Sequence, residues 1–358
     1  MIEYLELAPG MRISRVLTGL WQIADLERDG TTLDPVATAK FMTPYVEAGF
    51  TTFDMADHYG SAEIIAGQFK NREPAGPRAQ LFTKWVPKPG VVTFSDVRKA
   101  VERSLERMQT DRLDMLQYHA WNYTDPAWID TLFHLQELKS EGLIGHLGLT
   151  NFDAAHLRIA VASGIEILTN QICYSLIDQR AATDMASVCE EYGVHILAFG
   201  TVAGGFLSEK WLGQSEPAAE QLETWSQMKY KRFIDVAGGW TKYQELLTVL
   251  DAIARKHGVS ISTVSSRYML DQPAVAGIIL GARLGKGNHV EENLATFELQ
   301  LDQQDREAIA QAAAALEAIP GGCGDEYRKP PFLTASGDLS DHLESIPPVF
   351  STVTDAAD

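Results

Sequence analysis

Apolar positions along the chain fall into two alternating rhythms. Short β-branched or aromatic runs that read as buried strands occur at Leu17 to Trp21, Thr51 to Phe53, Gln80 to Trp85, Asp114 to His119, Ile144 to Leu149, Ile167 to Gln171, His195 to Phe199 and Ala276 to Leu280. Between them lie stretches with apolar residues at helical spacing. The first, 34–48, carries Val36, Phe41 and Val46, opens on Asp34-Pro35 and stops at Gly49. Further helices are expected at 61–70, 95–108 with Thr93 or Ser95 as cap, 128–140, 153–163, 180–192, 243–256, 262–270, 290–299 and 304–317. Residues 2–18 alternate around Pro9-Gly10 and predict a hairpin ahead of the first core strand.

Strands that alternate with helices about eight times predict a parallel sheet, and that number of units is what a closed (β/α)8 TIM barrel requires. An open doubly wound sheet is the competing arrangement, but no GxGxxG follows the first strand, and no GxSxG elbow is present. The pattern breaks twice. A long loop after the seventh strand, from Gly200 to about Trp240, reads as a lid or insertion. From Pro320 to Asp358 the chain turns rich in Pro, Gly, Ser and Thr, so the expected organisation is a barrel over 1–319 and a tail over 320–358. Tyr327, Phe332, Leu333 and Phe350 predict that part of this tail docks near the barrel mouth.

Charge narrows the functions available. The 358 residues carry a net charge of −18, which disfavours nucleic acid and anionic membranes as partners and requires a local basic cluster wherever an anion binds. With no secretory leader and no bilayer-spanning run, a cytoplasmic location is expected. Cys173, Cys189 and Cys323 have no metal or disulfide spacing, and the His residues form no HxxxH, so no metal is expected.

The candidate chemistry sits at strand ends, which share one mouth in a parallel barrel. Asp54, Lys84 and His119 close the second, third and fourth strands, and Tyr59 follows Asp54 in the loop. A phenol titrates near pH ~10, too high for acid catalysis at neutrality, but an adjacent ammonium stabilises its phenolate. Lys84 is the candidate for that ammonium, Asp54 for the partner that keeps it charged, and His119 for the donor that orients a carbonyl oxygen. None of these groups carries electrons, so a separate cofactor must bring them.

The segment Phe53-Asp54-Met55-Ala56-Asp57-His58-Tyr59-Gly60, together with Thr83-Lys84 and His119, resembles the catalytic Asp, Tyr, Lys and His of the aldo-keto reductase family. Gly148-Leu149-Thr150-Asn151-Phe152 resembles its Gly-Leu-Ser-Asn-Phe, and Asn170-Gln171 its Asn-Gln. By this resemblance Thr150, Asn151 and Gln171 contact the nicotinamide carboxamide, and Phe199 stacks on the ring where many members have Tyr. Gly200, Gly204, Gly205 and Leu207 belong to the loop over the pyrophosphate. Gly281-Ala282-Arg283 resembles the subgroup related to the potassium-channel β subunit. Glu292 and Asn293 match adenine contacts, and Arg283, Lys286 and His289 supply the basic cluster for a 2′-phosphate. The resemblance implies NADPH/NADP+, with NADH possible, and reduction of an aldehyde or ketone. Oxidation of an alcohol or sugar, or a cofactor-sensing regulatory role, stays open, as does the oligomeric state. Trp21 is assigned to both cofactor and substrate, and Trp85, Trp121 and Tyr123 to an aromatic substrate wall.

Overall fold

The computed structural model describes residues 2–27, 29–87, 92–120, 123 and 127–328. Strands β1 (Tyr4–Ala8) and β2 (Met11–Ser14) form an antiparallel hairpin. Eight parallel strands then close a barrel: β3 (Val16–Gly19), β4 (Thr52–Asp54), β5 (Gln80–Trp85), β6 (Leu113–Tyr118), β7 (Ile144–Thr150), β8 (Ile167–Cys173), β9 (His195–Phe199) and β10 (Val275–Gly281), with β10 pairing back onto β3. Closure leaves no free edge, and helices cover the outside. No helix among the described residues is long and apolar enough to cross a membrane.

The barrel interior is layered by the two-residue period of its strands. Leu17, Phe82, Met115, Leu197 and Ala276 form one apolar cluster with Leu7, Met11 and Ile13 of the hairpin, so the hairpin plugs the bottom of the barrel. Two residues further along β5, β6 and β9 stand Lys84, Gln117 and Phe199, and the floor of the mouth becomes largely polar. A larger cluster between strands and helices, built on residues such as Phe53, Phe69, Val101, Leu135 and Leu250, supplies most of the remaining core.

Several helices depart from the periodic pattern. The 34–48 stretch divides into Pro35–Ala39, a 3-10 turn at Lys40–Met42, and Thr43–Ala48. Pro44 has no N–H for a continuous helix and instead sits near the start of the last piece. Val36 and Phe41 are exposed while Val46 is buried. The 180–192 helix opens with a π turn at Ala181–Met185. The stretch after β9 is largely built: 3-10 turns lead to a helix at Trp225–Val236, capped by Thr224, and the next helix starts at Gly239.

Of the expected tail, Cys323 and the short helix Asp325–Arg328 pack against the barrel mouth with their side chains buried. Arg180 pins this segment. Its guanidinium binds Asp178 at 2.6 Å, Glu326 at 2.8 Å and the Gly322 carbonyl at 2.8 Å. Burial opposes the Arg180 charge, and Glu326 and Asp178 more than offset it, holding its pKa above the usual value. Phe332, Leu333, Phe350 and the rest of 329–358 lie outside the described residues.

The helix Ala62–Arg72 comes unusually close to the end of Phe94–Met108: a Cβ at Gly67 would meet the Met108 backbone at 2.6–2.7 Å. Gly67→Ala should therefore destabilise by about 1–3 kcal/mol, because the backbone clash exceeds the helix-propensity gain of roughly 1 kcal/mol. A lowered midpoint in urea unfolding checks this.

Candidate active site

At the top of the barrel one buried carboxylate gathers residues from four strands. Asp54, at the end of β4, accepts from Lys84 Nζ at 2.5 Å, from Gln117 Nε2 at 2.9 Å and from Gln171 Nε2 at 2.7 Å. Gln171 Nε2 also donates to Gln117 Oε1 at 2.8 Å. Burial pushes the Lys84 pKa down, and Asp54 pulls it back only in part, so it rests below the usual lysine value.

Tyr59 stands on the turn that follows. The Lys84 ammonium lies 5.0 Å from its ring centroid, and Trp21 packs edge-on at 4.9 Å. Two carboxylates hold that turn. Glu27 accepts from Ser61 N at 2.8 Å and Ser61 Oγ at 2.6 Å, and its carboxylate fills the space where a side chain at Gly60 (φ +52°) would begin. Glu63 accepts from Thr83 Oγ1 at 2.7 Å and Arg107 at 3.2 Å, while Arg107 also binds the Asp57 carbonyl at 2.8 Å. Backbone bonds continue the barrel ladder into the loops: Asp57 N to the Lys84 carbonyl at 2.9 Å, His119 N to Trp85 at 3.0 Å, Asn151 N to Gln171 at 2.8 Å. Loop residues are thereby fixed as strand residues are.

His119 is 4% exposed and lies edge-on to Tyr327 at 5.1 Å, with Asn151 Nδ2 at 3.4 Å from its Nε2. Burial holds its pKa well below the usual 6.5, and the charges of Arg328, His58, Lys229 and Lys84 lower it further. The ring is therefore neutral at physiological pH and retains one N–H to donate.

Asp54, Tyr59, Lys84 and His119 line one cavity, open to solvent, whose walls include Trp21, Thr150, Asn151, Gln171, Phe199, Gly200 and Gly204. A second cavity shares Gln22, Val202, Gly204, Ser226 and Gly281 with it, and extends past Gly205 to Arg283, His289, Glu292 and Asn293. The two form a continuous cleft from the barrel axis to its rim. Thr150 Oγ1 and Asn151 Oδ1 in the first cavity, and Arg283 Nε in the second, are buried without a hydrogen-bond partner. Such atoms fit an elongated polar ligand, since leaving them unmatched is costly. Asn151 also adopts φ +56°, an uncommon conformation for a non-glycine residue.

Four expected contacts lie elsewhere. Lys84 points inward, so Trp85, its neighbour along the strand, faces the helices and packs on Tyr118 at 6.0 Å. Tyr123 stacks on His156 at 3.6 Å beneath Arg328, away from the main cavity. Leu207 is fully buried, and Lys286 is exposed and lines neither cavity. Trp121 lies outside the described residues. Gln171 does face the cavity, but its amide nitrogen is committed to Asp54 and Gln117. Sequence reading missed Gln117, whose position two residues after inward Met115 signals an interior side chain. It also missed Trp225, Lys229 and Tyr230, which occupy the supposed lid. No group of His, Cys, Asp or Glu among the described residues is arranged to hold a metal.

The barrel mouth thus sets a Tyr beside a buried Lys–Asp pair, with a long polar cleft leading from it. The aldo/keto reductase family model matches residues 15–314, and the chain belongs to that family of nicotinamide-dependent oxidoreductases. It is 24% identical over 327 residues to the NADH-specific methylglyoxal reductase of Escherichia coli, spanning 85% of this chain and 96% of that protein. It is 28% identical over 261 residues to the flagellar radial spoke protein 5 of Chlamydomonas reinhardtii, covering 60% of this chain but 49% of that one. The chain thus spans only about half the length of some curated relatives it matches. Among solved structures, the glycerol dehydrogenase of Gluconobacter oxydans superposes with a TM-score of 0.72 at 23% identity over 90% of this chain and 96% of that one. A thermostable aldo-keto reductase bound to epalrestat gives 0.66 at 23% identity over 87% and 100%.

The neutral His119 links stability to pH. Its folded pKa is depressed, so its contribution is present above the unfolded value near 6.5 and is lost as pH falls below it. Unfolding free energies measured between pH 7 and pH 5 should fall less steeply for His119→Gln than for the unaltered protein.

Proposed function

We propose that the protein reduces an aldehyde or ketone to an alcohol with NADPH, and that Tyr59 is the proton donor. The observation that carries this reading is the convergence of Tyr59, the Lys84–Asp54 pair and His119 on one cavity wall. A nicotinamide cofactor, when bound, supplies the hydride. Thr150 Oγ1 and Asn151 Oδ1 are the groups that would hold its carboxamide, Phe199 offers an aromatic face, and Gly200, Gly204 and Gly205 leave backbone accessible for the pyrophosphate.

The chain's own groups then handle the proton. His119 and the Tyr59 hydroxyl receive the carbonyl oxygen, and Tyr59 protonates it as negative charge develops there. The Lys84 ammonium, 5.0 Å from the ring, stabilises the resulting phenolate, and Asp54 prevents Lys84 from giving up its own charge. The same groups serve alcohol oxidation in reverse. Tyr59→Phe should lower kcat by about a hundredfold to ten-thousandfold, with the dissociation constant for NADPH nearly unchanged in fluorescence titration. Retained turnover would remove Tyr59 as the acid.

Preference for the 2′-phosphate rests on Arg283 and His289. Arg283 keeps an Nε–H without a hydrogen-bond partner and meets Asp25 only at 3.8 Å. Glu292, 3.3 Å from the His289 ring, raises that pKa above the usual 6.5 and favours the imidazolium near neutrality. Glu292 and Asn293 address parts common to both nucleotides, so NADH binding is weaker rather than absent. Arg283→Ala should cut the NADPH-over-NADH affinity ratio about tenfold or more. A ratio that stays the same would assign the phosphate elsewhere.

A further inference from the structure

Gln117 lines neither of the two cavities, yet it joins the proton-handling pair to the cofactor wall. It lies on β6 and is fully buried. Its Nε2 donates to Asp54 Oδ1 at 2.9 Å, and its Oε1 accepts from Gln171 Nε2 at 2.8 Å. Gln171 Nε2 donates to the same Asp54 Oδ1 at 2.7 Å, so one carboxylate and two carboxamides, from β4, β6 and β8, close a hydrogen-bonded ring. β7 runs between β6 and β8 and makes way for this contact. Gly148 is the β7 residue paired with Gln117, and a Cβ there would meet Gln117 Cγ at 3.0 Å and Thr169 Oγ1 at 2.5 Å. A glycine on β7 is therefore what lets Gln117 cross to Gln171.

Charge sets the direction of every bond in the ring. A carboxylate only accepts, so each carboxamide must turn its nitrogen toward Asp54. Gln117 then points its oxygen at Gln171, whose second N–H fills it. Both hydrogens of Gln171 Nε2 are thereby engaged, and its Oε1 is left to the cavity that Gln171 lines. Reversing the Gln171 amide would set its oxygen against the Asp54 carboxylate and against Gln117 Oε1 at once, two repulsive contacts where no water relieves them. Without Gln117 only one of the two restraints remains, and the second N–H of Gln171 has no fixed partner.

We propose that Gln117 is a positioning residue for cofactor recognition. By taking the second N–H of Gln171 it fixes that carboxamide with its oxygen toward the cavity. The wall then favours a pyridine ring bearing a carboxamide, which brings an N–H, over one bearing a ketone of the same shape, which brings none. Asn151 Oδ1, buried without a hydrogen-bond partner on the neighbouring segment, is a second acceptor of the same kind. Gln117 touches no ligand and acts through Gln171 alone. The inference rests on the reading of the cleft as a nicotinamide site.

The test is calorimetric titration of the full chain with NADP+ and with its 3-acetylpyridine analogue, in which a methyl group replaces the amide nitrogen. A buried acceptor left without a donor costs affinity, so NADP+ should bind about tenfold or more tighter. In Gln117→Met the ratio of the two dissociation constants should fall about fivefold, the effect of one hydrogen bond. Gln171→Leu should lower the ratio as well, and adding Gln117→Met to it should change nothing further, the non-additivity expected of a residue that acts through another. A ratio untouched by Gln117→Met, or lowered as much again in the Gln171→Leu background, overturns the proposal. Each ratio compares two ligands on the same folded molecules, so an altered stability cancels. Should Gln117→Met not fold, Gln117→Asn, whose shorter amide withdraws from Gln171 while staying polar, carries the same comparison. Equal constants in the unaltered protein overturn the positioning role and leave the nicotinamide reading standing. If neither ligand binds, that reading fails and the proposal with it.

Discussion

The mouth of this barrel depends on one buried carboxylate. Asp54 at 3% exposure would be costly to ionise alone, and the barrel meets that cost with an ammonium and two carboxamide donors from three other strands. Each of those groups stands where strand alternation places it inward, two residues above an apolar or small side chain in the layer below. Fixing Asp54 thereby fixes Lys84, Gln117 and Gln171 relative to one another. The position of Tyr59 follows, because Lys84 is the charge beneath its ring.

A second set of restraints holds the loop rather than the floor. Glu27 and Glu63, neither of them in the cavity, reach the Tyr59 turn from opposite sides and bind its backbone neighbours or the groups beside them. Together they restrain the turn that carries Tyr59, and the proposed proton transfer, which requires reach of about 2.6–3.2 Å, would depend on that restraint. A network of this kind explains how a loop side chain can be as well placed as one on a strand.

Much of this was legible in the chain. The eight strands appear within a residue or two of their expected bounds, because buried parallel strands are short, dense apolar runs, and the strand-end Asp54, Lys84 and His119 follow directly from them. Illegible were features set by long-range contact. Val36 and Phe41 fit a helical face, yet no other element covers them and both are exposed. Trp85 and Tyr123 are aromatic and near strand ends, but sidedness and neighbours, rather than proximity, decide what faces a cavity. The helix Trp225–Val236 was hidden within a polar, charged stretch, and its buried Lys229 meets the docked Tyr327 across 98 residues of sequence.

The division between strands and added segments also bears on how such a protein could change. Groups assigned to proton handling belong to β4, β5, β6 and the loop after β4, whereas Lys229 and Tyr327 come from two segments nearly a hundred residues apart that touch across the mouth. Those segments can be exchanged without disturbing the Asp54 floor. Their contact couples the two, so a change in the helix Trp225–Val236 acts on the short helix Asp325–Arg328 as well. Variation in this wall is therefore felt in both segments at once, a constraint on evolution and on redesign alike.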